Sequence, residues 1–274
     1  MNNPELYAKS NPFQLRDAKM VLSSFAPQME ETTDTDSILD IGCGVGNVTN
    51  TILRPIFSKY RRIIGVDKST EMVDFARRHN AQDKIAYERL DICEDVENFK
   101  NTWGCFSKIF SFYCLHWIKD HRKVLKNIDK LLSTNGECLL VFVAQCPVFE
   151  LYEIMATLPK WKNVMNDVEN FIPDTQHSLQ PVFDFSKLMK ESGLEVLSCE
   201  TMHMEFTFNS IDILKNCVCA ISPFVSRIPE HDKESYISDS LKILSALATH
   251  ERDANDNEGY GFSYKLMIAR GRKL

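Results

Sequence analysis

The stretch Ser37 to Asn47, S-I-L-D-I-G-C-G-V-G-N, constrains this chain more than any other. Ile38, Leu39 and Ile41 make a short apolar run of the kind buried on both faces of a parallel sheet. Gly42, Gly44 and Gly46 follow, and Val48, Thr49, Ile52 and Leu53 then resume at helical spacing. A strand that turns through glycines into a helix lets backbone amides approach a small ligand, because no Cβ stands in the way. The turn predicts a nucleotide-type site in an α/β sheet.

Spacing selects among nucleotides. A dinucleotide fingerprint, G-x-G-x-x-G, would put its third glycine at position 47, which is Asn47. The pattern present is D-x-G-x-G-x-G, led by Asp40. A carboxylate there suits a ligand that carries an ammonium and repels one that carries a pyrophosphate. S-adenosylmethionine carries an ammonium and a sulfonium, and the stretch resembles the first motif of the class I methyltransferases. A glycine turn alone can be purely structural, but acids downstream argue against that here. Arg62 to Asp67 is a second buried strand, ending 25 positions after Gly42 in an acid placed to hold ribose hydroxyls. Ile85 to Asp91 is a third, also ending in an acid. Asp40, Asp67 and Asp91 would then line the carboxyl edge of one sheet, where open α/β folds bind ligands.

The 274 residues allow one α/β domain with additions. A net charge of -6 argues against a nucleic-acid partner, which would need a basic footprint. Nine cysteines occur without C-x-x-C pairs or histidines at metal spacing, so no metal is expected. Several, such as Cys43, Cys114, Cys138 and Cys146, sit in or beside apolar strands, where free cysteine acts as a small hydrophobe in a reducing compartment. No apolar signal core opens the chain, and no run of ~18 apolar residues occurs, so membrane insertion is not expected and the expected location is the cytoplasm.

Taken in order, Asn11 and Pro12 read as an N-cap and first helical residue, with a helix to Phe25. Ala18, Val21, Leu22 and Phe25 make its inward stripe, and Gln14 falls on the same stripe. An inward glutamine needs a partner; it bonds nearby backbone, sits half exposed in the first turn, or faces a ligand. Helix Asn47 to Phe57 and helix Thr70 to His79 alternate with the strands. Phe106 to Tyr113 is a fourth strand and Gly136 to Ala144 a fifth, apolar enough for the middle of the sheet. His116 and Trp117 lie just past the fourth strand, at the ligand edge. Such a pair is commonly packing, yet an amide N–H from Gln14 and an indole N–H from Trp117 converging there would hold a carboxylate without neutralising it.

The βα alternation lapses from Pro147 to Pro181, where Leu151, Ile154, Met155 and Leu158 form one helical stripe and Trp161, Val164 and Met165 a second. Leu194 to His203 reads as a sixth strand, after a helix closed by Gly193. Leu214, Cys217, Val218, Ile221 and Val225 share one helical face, another helix is expected over His231 to Thr249, and a polar loop spans Asp253 to Gly259. Tyr260 to Ala269 is the last strand, antiparallel beside the sixth. The expected fold is therefore a Rossmann-like, seven-stranded α/β sheet with helices on both faces, its last strand antiparallel, plus helical cap insertions. A single domain over 1–274 is expected, with a core of about 30–146, 182–206 and 258–271 and a substrate cap from 1–27, 147–181 and 207–257. A cap rich in Trp, Met, Ile and Val would roof a cleft for a long apolar substrate.

As a whole the chain resembles the insect juvenile hormone acid O-methyltransferases, which share an active-site plan with plant carboxyl methyltransferases of the SABATH type. The resemblance rests on Tyr7 with Asn11 and Gln14, on I-L-D-I-G-C-G-V-G-N, on G-V-D-K at Gly65 to Lys68, on L-D-I at Leu90 to Ile92, and on L-H-W-I at Leu115 to Ile118. It implies that S-adenosylmethionine is the cofactor. Asp40, Gly42 and Gly44 would hold its methionine part, Asp67 with Lys68 its ribose side, Asp91 and Ile92 its adenine, and Phe112 would lie near the sulfonium. Gln14 and Trp117 would hold the substrate carboxylate, assisted by His116. Tyr7, Trp161, Met165, Ile221 and Val225 complete the implied substrate set. The implied reaction is methylation of a juvenile hormone acid or farnesoic acid, a small-molecule isoprenoid acid, in juvenile hormone biosynthesis. Homodimerisation is a further implication that no stretch of the sequence localises. The alternatives are a methyltransferase for another small acid or hydroxyl acceptor, and a non-catalytic protein that binds S-adenosylmethionine or isoprenoids. A dehydrogenase is disfavoured by Asn47.

Overall fold

The apolar runs of the first half of the chain pair side by side. In the computed structural model, which describes residues 3–252 and 258–274, they form β1 (Ser37–Ile41), β2 (Arg62–Asp67), β3 (Ile85–Arg89), β4 (Phe106–Phe112) and β5 (Leu132–Gln145). β6 (Leu194–Phe208), β7 (Thr249–Arg252) and β8 (Glu258–Lys273) complete one sheet of order β3-β2-β1-β4-β5-β8-β6, with β7 paired to β8. β1 to β5 run parallel to one another, while β8 lies antiparallel between β5 and β6. The order reverses between β1 and β4, so the crevice outside their carboxyl ends is where a ligand belongs.

Among the described residues ten helices accompany the sheet: α1 (Pro4–Lys9), α2 (Pro12–Phe25), α3 (Arg54–Ile56), α4 (Thr70–His79), α5 (Glu97–Trp103), α6 (His121–Leu131), α7 (Pro147–Thr157), α8 (Pro181–Glu191), α9 (Ile211–Ile221) and α10 (Glu230–Leu247). Alternate strand residues serve opposite faces, as the two-residue period requires. Ile38, Ile63 and Phe110 pack with Ala18, Val21, Leu22 and Phe25 of α2 in one layer. Their neighbours Leu39, Ile64 and Ile109 pack with Val124, Leu125 and Ile128 of α6 in the other. The first layer continues without a break into Tyr152 and Met155 of α7, Leu214 and Val218 of α9 and Tyr236 and Leu244 of α10. The cap is thus founded on the same face as α2.

Several elements differ from the sequence expectation. The sheet has an eighth strand, because α10 ends at Leu247 and Thr249–Arg252 returns along β8. That segment, T-H-E-R, carries no apolar alternation by which a strand is recognised. β6 and β8 run beyond the expected His203 and Tyr260, pairing as far as Phe208 with Tyr260. The loop Asp253 to Gly259 falls mostly outside the described residues; its last two positions open β8. The helix expected from Asn47 is instead a widened turn, Thr49–Leu53, followed by the three-residue α3. Pro55 has no N–H for a helical bond to Thr51, and the Arg54 N–H reaches back to the Thr49 carbonyl. Asn11 stands before α2 as expected but its side chain makes no capping bond. It is buried beside the crevice.

At the far end of the sheet, buried Glu137 accepts from Lys108 Nζ at 2.8 Å, Arg272 Nη2 at 3.1 Å and the Glu30 N–H at 3.1 Å. This ties β4, β5 and β8 to the segment that leads into β1. None of the described helices is long and apolar enough to cross a membrane.

Candidate active site

Three connected hollows meet where β1 and β4 end, and Tyr7 and Tyr113 line all of them. An open cleft is bordered by Gly42, Gly44, Asp67, Lys68, Asp91 and Ile92. A small polar pocket follows, with Asn11, Gln14, Asp40, Cys43 and Phe112 in its wall. Beyond it lies a chamber of about 850 Å³, mouth included, that also reaches Gln14, His116, Trp117 and Ile221.

The glycine turn has the geometry its residues require. Gly42 and Gly46 have φ of +74° and +82°, a region that costs any other residue strain. A Cβ on Gly42 would stand 2.3 Å from Cys114 Cβ, and one on Gly46 2.7 Å from the Tyr87 ring. The Gly42 and Cys43 amides donate to the Val66 carbonyl at 2.8 and 3.0 Å, and the Gly44 N–H donates to Asp67 Oδ2 at 3.0 Å. Asp67 Oδ1 accepts from the Ser69 N–H at 2.9 Å. Each Asp67 oxygen keeps a further lone pair for a hydroxyl donor in the cleft. Burial nevertheless raises the Asp67 pKa, against the pull of these two amides. Asp91 Oδ1 accepts from the Cys93 N–H at 2.9 Å, and Asn127 fixes the same loop by donating to the carbonyls of Ile92 and Glu94 at 2.8 and 2.7 Å.

Asp40 is buried and accepts from Thr49 Oγ1 at 2.6 Å. Burial pushes its pKa up to about 7; the Thr49 bond opposes this and the Asp67 charge adds to it. A buried carboxylate with no cation beside it is costly, and an arriving ammonium removes the cost. Donor-facing acids, a turn stripped of Cβ atoms and an uncompensated carboxylate together fit S-adenosylmethionine.

The acceptor side is built differently. Among the described residues, no charged side chain lines the chamber. Gln14 is 5 % exposed, and its Oε1 is buried without a hydrogen-bond partner among the described residues. The Val143 N–H donates to Nδ1 of His116 at 3.4 Å, so the neutral ring carries its proton on Nε2. Burial lowers the His116 pKa to about 3, with a smaller contribution from His121, so the ring is a neutral donor at physiological pH. The turn Leu115–Trp117 that presents His116 and Trp117 is anchored by His121 Nε2 on the Leu115 carbonyl at 3.0 Å. The two rings sit 4.8 Å apart. Gln14, His116 and Trp117 thus all line this chamber, and most of the remaining lining is apolar, supplied chiefly by Phe149, Phe206, Phe208, Leu214, Val218 and Phe262.

Of the residues singled out in the sequence, Tyr7, Gln14, His116, Trp117 and Ile221 line the chamber. Trp161, Met165 and Val225 do not. Residues 159–167 form turns and not a second helix, so the Trp161 ring packs inward against Tyr236 at 5.2 Å and its Nε1 donates to Asp239 Oδ2 at 3.0 Å. Met165 is fully buried in the same layer, and Val225 opens the short turn Val225–Arg227 after α9 has ended. Trp161→Phe is therefore expected to cost about 1 kcal/mol of stability through the lost hydrogen bond, with KM for the acid changed less than about twofold; thermal melting and steady-state kinetics check it. The sequence analysis missed Tyr113, Tyr264 and the aromatic strand ends. Their signal was the i, i+2 spacing of Phe206 with Phe208 and of Phe262 with Tyr264, which continues β6 and β8 past the apolar runs.

Comparisons with known proteins identify the family. Residues 38–136 match the family model described as a methyltransferase domain. Across 100% of its length the chain is 35% identical to the juvenile hormone acid O-methyltransferase of Drosophila melanogaster, covering 93% of that protein. It is 32% identical to the juvenile hormone acid O-methyltransferase of Bombyx mori, over 100% of this chain and 98% of the relative. A putative methyltransferase of Bacillus halodurans superposes with a TM-score of 0.57 at 14% identity, over 92% of this chain and 98% of the other. The YcgJ protein of Bacillus subtilis gives 0.57 at 17%, over 94% and 98%. These two structures establish the fold. The full-length identities establish more: the chain belongs to the juvenile hormone acid O-methyltransferase family and is an enzyme that uses S-adenosyl-L-methionine as methyl donor.

Proposed function

We propose that the enzyme methylates the carboxylate of a juvenile hormone acid or of farnesoic acid, giving the methyl ester. The observation that carries this is that the neutral donors Gln14, Trp117 and His116 line a largely apolar chamber in which, among the described residues, no charged side chain stands. A hydroxyl acceptor would need a general base. Among the described residues lining the chamber the candidate is His116, whose pKa near 3 makes it a poor one. A carboxylate of pKa about 4.5 is already ionised at neutral pH and needs none.

In this reading Asp40 and the glycine turn take the methionine end of the cofactor, Asp67 and Lys68 the ribose side, and Asp91 with Ile92 the adenine. Phe112 borders the pocket between them. When bound, S-adenosylmethionine supplies an electrophilic methyl on a sulfonium: the carboxylate oxygen bonds to that carbon, the C–S bond breaks, and its electron pair stays on sulfur. No proton moves. Gln14, Trp117 and His116 orient the acid without cancelling its charge. The apolar wall excludes water, so an anion and a cation that neutralise each other in the transition state are poorly solvated beforehand.

The test is transfer of labelled methyl from S-adenosylmethionine to juvenile hormone III acid, farnesoic acid, a saturated fatty acid, salicylate and trans-aconitate in parallel. Ester from the isoprenoid acids alone supports the assignment. Ester from salicylate or trans-aconitate alone refutes it.

A further inference from the structure

We propose that Asp17 is a positioning residue for methyl transfer, which locks the Tyr113 ring across the junction between the cofactor pocket and the acceptor chamber. Asp17 is completely buried and lines none of the three hollows. Its Oδ2 accepts from the Tyr113 hydroxyl at 2.5 Å and from the Tyr264 hydroxyl, and its Oδ1 accepts from Arg16 Nε at 2.8 Å. Arg16 in turn donates to the Tyr264 hydroxyl at 3.0 Å and to the Glu205 carbonyl at 2.8 Å. One carboxylate therefore joins α2, the end of β4 and the middle of β8.

Tyr113 is the residue that most needs such a hold. Its φ is +55°, a left-handed conformation that a bulky side chain adopts only when its surroundings enforce it. Its N–H donates to the Val141 carbonyl at 2.8 Å, and its ring meets Phe13 edge-on at 5.6 Å and His116 at 6.1 Å. The ring faces the cleft, the polar pocket and the chamber at once. Wherever the acid carboxylate meets the methyl group, this ring borders the meeting point.

Asp17 also stands one helical turn after Gln14 on α2, so the bond that fixes Tyr113 fixes the turn that presents Gln14. A second consequence concerns selectivity of contact. The hydroxyls of Tyr113 and Tyr264 are both spent on Asp17 and withheld from the acceptor. The substrate carboxylate is left with Gln14, Trp117 and His116, on one side of the junction. The proposal rests on the carboxyl methylation argued above only in taking the acceptor to lie in this chamber.

The experiment uses the full chain and the best acceptor found for the wild type. Tyr113→Phe deletes one hydroxyl and keeps the ring; it is expected to lower kcat at least about tenfold, with acid KM and S-adenosylhomocysteine Kd changed less than about threefold. Tyr264→Phe deletes a bond to the same carboxylate from outside the junction, and is expected to lower kcat at least about fivefold less. Asp17→Asn should match Tyr113→Phe, and the double variant should be no slower than the worse single, because both act through one ring. Crystals of Tyr113→Phe with S-adenosylhomocysteine should show the ring displaced from the junction. An unchanged kcat, equal losses in Tyr113→Phe and Tyr264→Phe, multiplying losses in the double variant, or an undisplaced ring would each overturn the proposal. Should Asp17→Asn fail to fold, the two tyrosine variants decide. A wild type that methylates only a non-isoprenoid acceptor refutes the substrate assignment and leaves this comparison intact with that acceptor; a wild type with no acceptor leaves the crystals to decide it.

Discussion

Replacing Gln14 by alanine is expected to lower kcat/KM for the acid about 10² to 10³ fold, while Kd for S-adenosylhomocysteine changes less than about twofold. The side chain is buried, makes no hydrogen bond among the described residues, and lines both the polar pocket and the chamber. Removing it therefore deletes a donor to the acceptor and leaves the fold nearly as stable. Trp117→Phe keeps an aromatic ring at the site but removes the indole N–H and part of the ring; a hydrogen bond to a charged group contributes about 1.5 to 3 kcal/mol, so a loss of about 10 to 100 fold is expected. Steady-state kinetics with calorimetric titration of S-adenosylhomocysteine separates the two sites. A parallel loss of cofactor affinity would contradict the division of roles.

Cofactor affinity itself should depend on pH through Asp40. Its pKa is raised from 3.8 to about 7, first by burial and then by the Asp67 charge, against the Thr49 bond. In the free protein the protonated form is favoured, so this group contributes stability that is complete below 3.8 and is lost as pH rises through about 7. A bound ammonium reverses the preference, because it pairs only with the ionised carboxylate. Binding must then expel a proton below about pH 7, and Kd for S-adenosylhomocysteine should fall nearly tenfold per pH unit up to that point and level off by about pH 8. Asp40→Asn should flatten the profile and weaken binding about 10² fold at pH 8, the worth of a buried charge-assisted contact. Titration calorimetry in buffers of different ionisation enthalpy measures both the affinity and the released proton. A flat wild-type profile would show that Asp40 does not meet the ammonium.

The two sides of the site handle charge in opposite ways. Asp40, Asp67 and Asp91 line neighbouring hollows at the carboxyl edge of the sheet, and in the proposed assignment they face the cationic cofactor. The acceptor side carries no formal charge, and burial keeps His116 neutral. In the proposed reaction an anionic acceptor would then approach the sulfonium in a chamber that offers it donors but no opposite charge. Arginine or lysine in place of Trp117 would bind the acid more tightly and blunt its attack.

Much of this was legible in the chain because it depends on local chemistry. The D-x-G-x-G-x-G turn, acids at strand ends and apolar runs of strand length are consequences of residues that are neighbours in sequence, and the structure reproduces β1 and β2 with the boundaries those runs implied. Gln14 was readable for a similar reason, as a polar residue on an apolar helical stripe. Other features required the chain to be folded. Trp161 and Met165 belong to an apolar segment like those that roof the chamber, and only packing against α10 turned them into the core. The pairing of β6 with β8 placed Phe206, Phe208, Phe262 and Tyr264 at the chamber, although no one of these stretches signals a site. Asp17, Tyr113 and Tyr264 lie as far as 247 positions apart and meet at one buried carboxylate. Sequence by itself determined the cofactor's chemistry and the sheet that carries it, since backbone geometry and charge at a turn are local properties. Tertiary structure alone decided the shape of the acceptor chamber and the set of Tyr113, since those follow from contacts between elements that no spacing along the chain encodes.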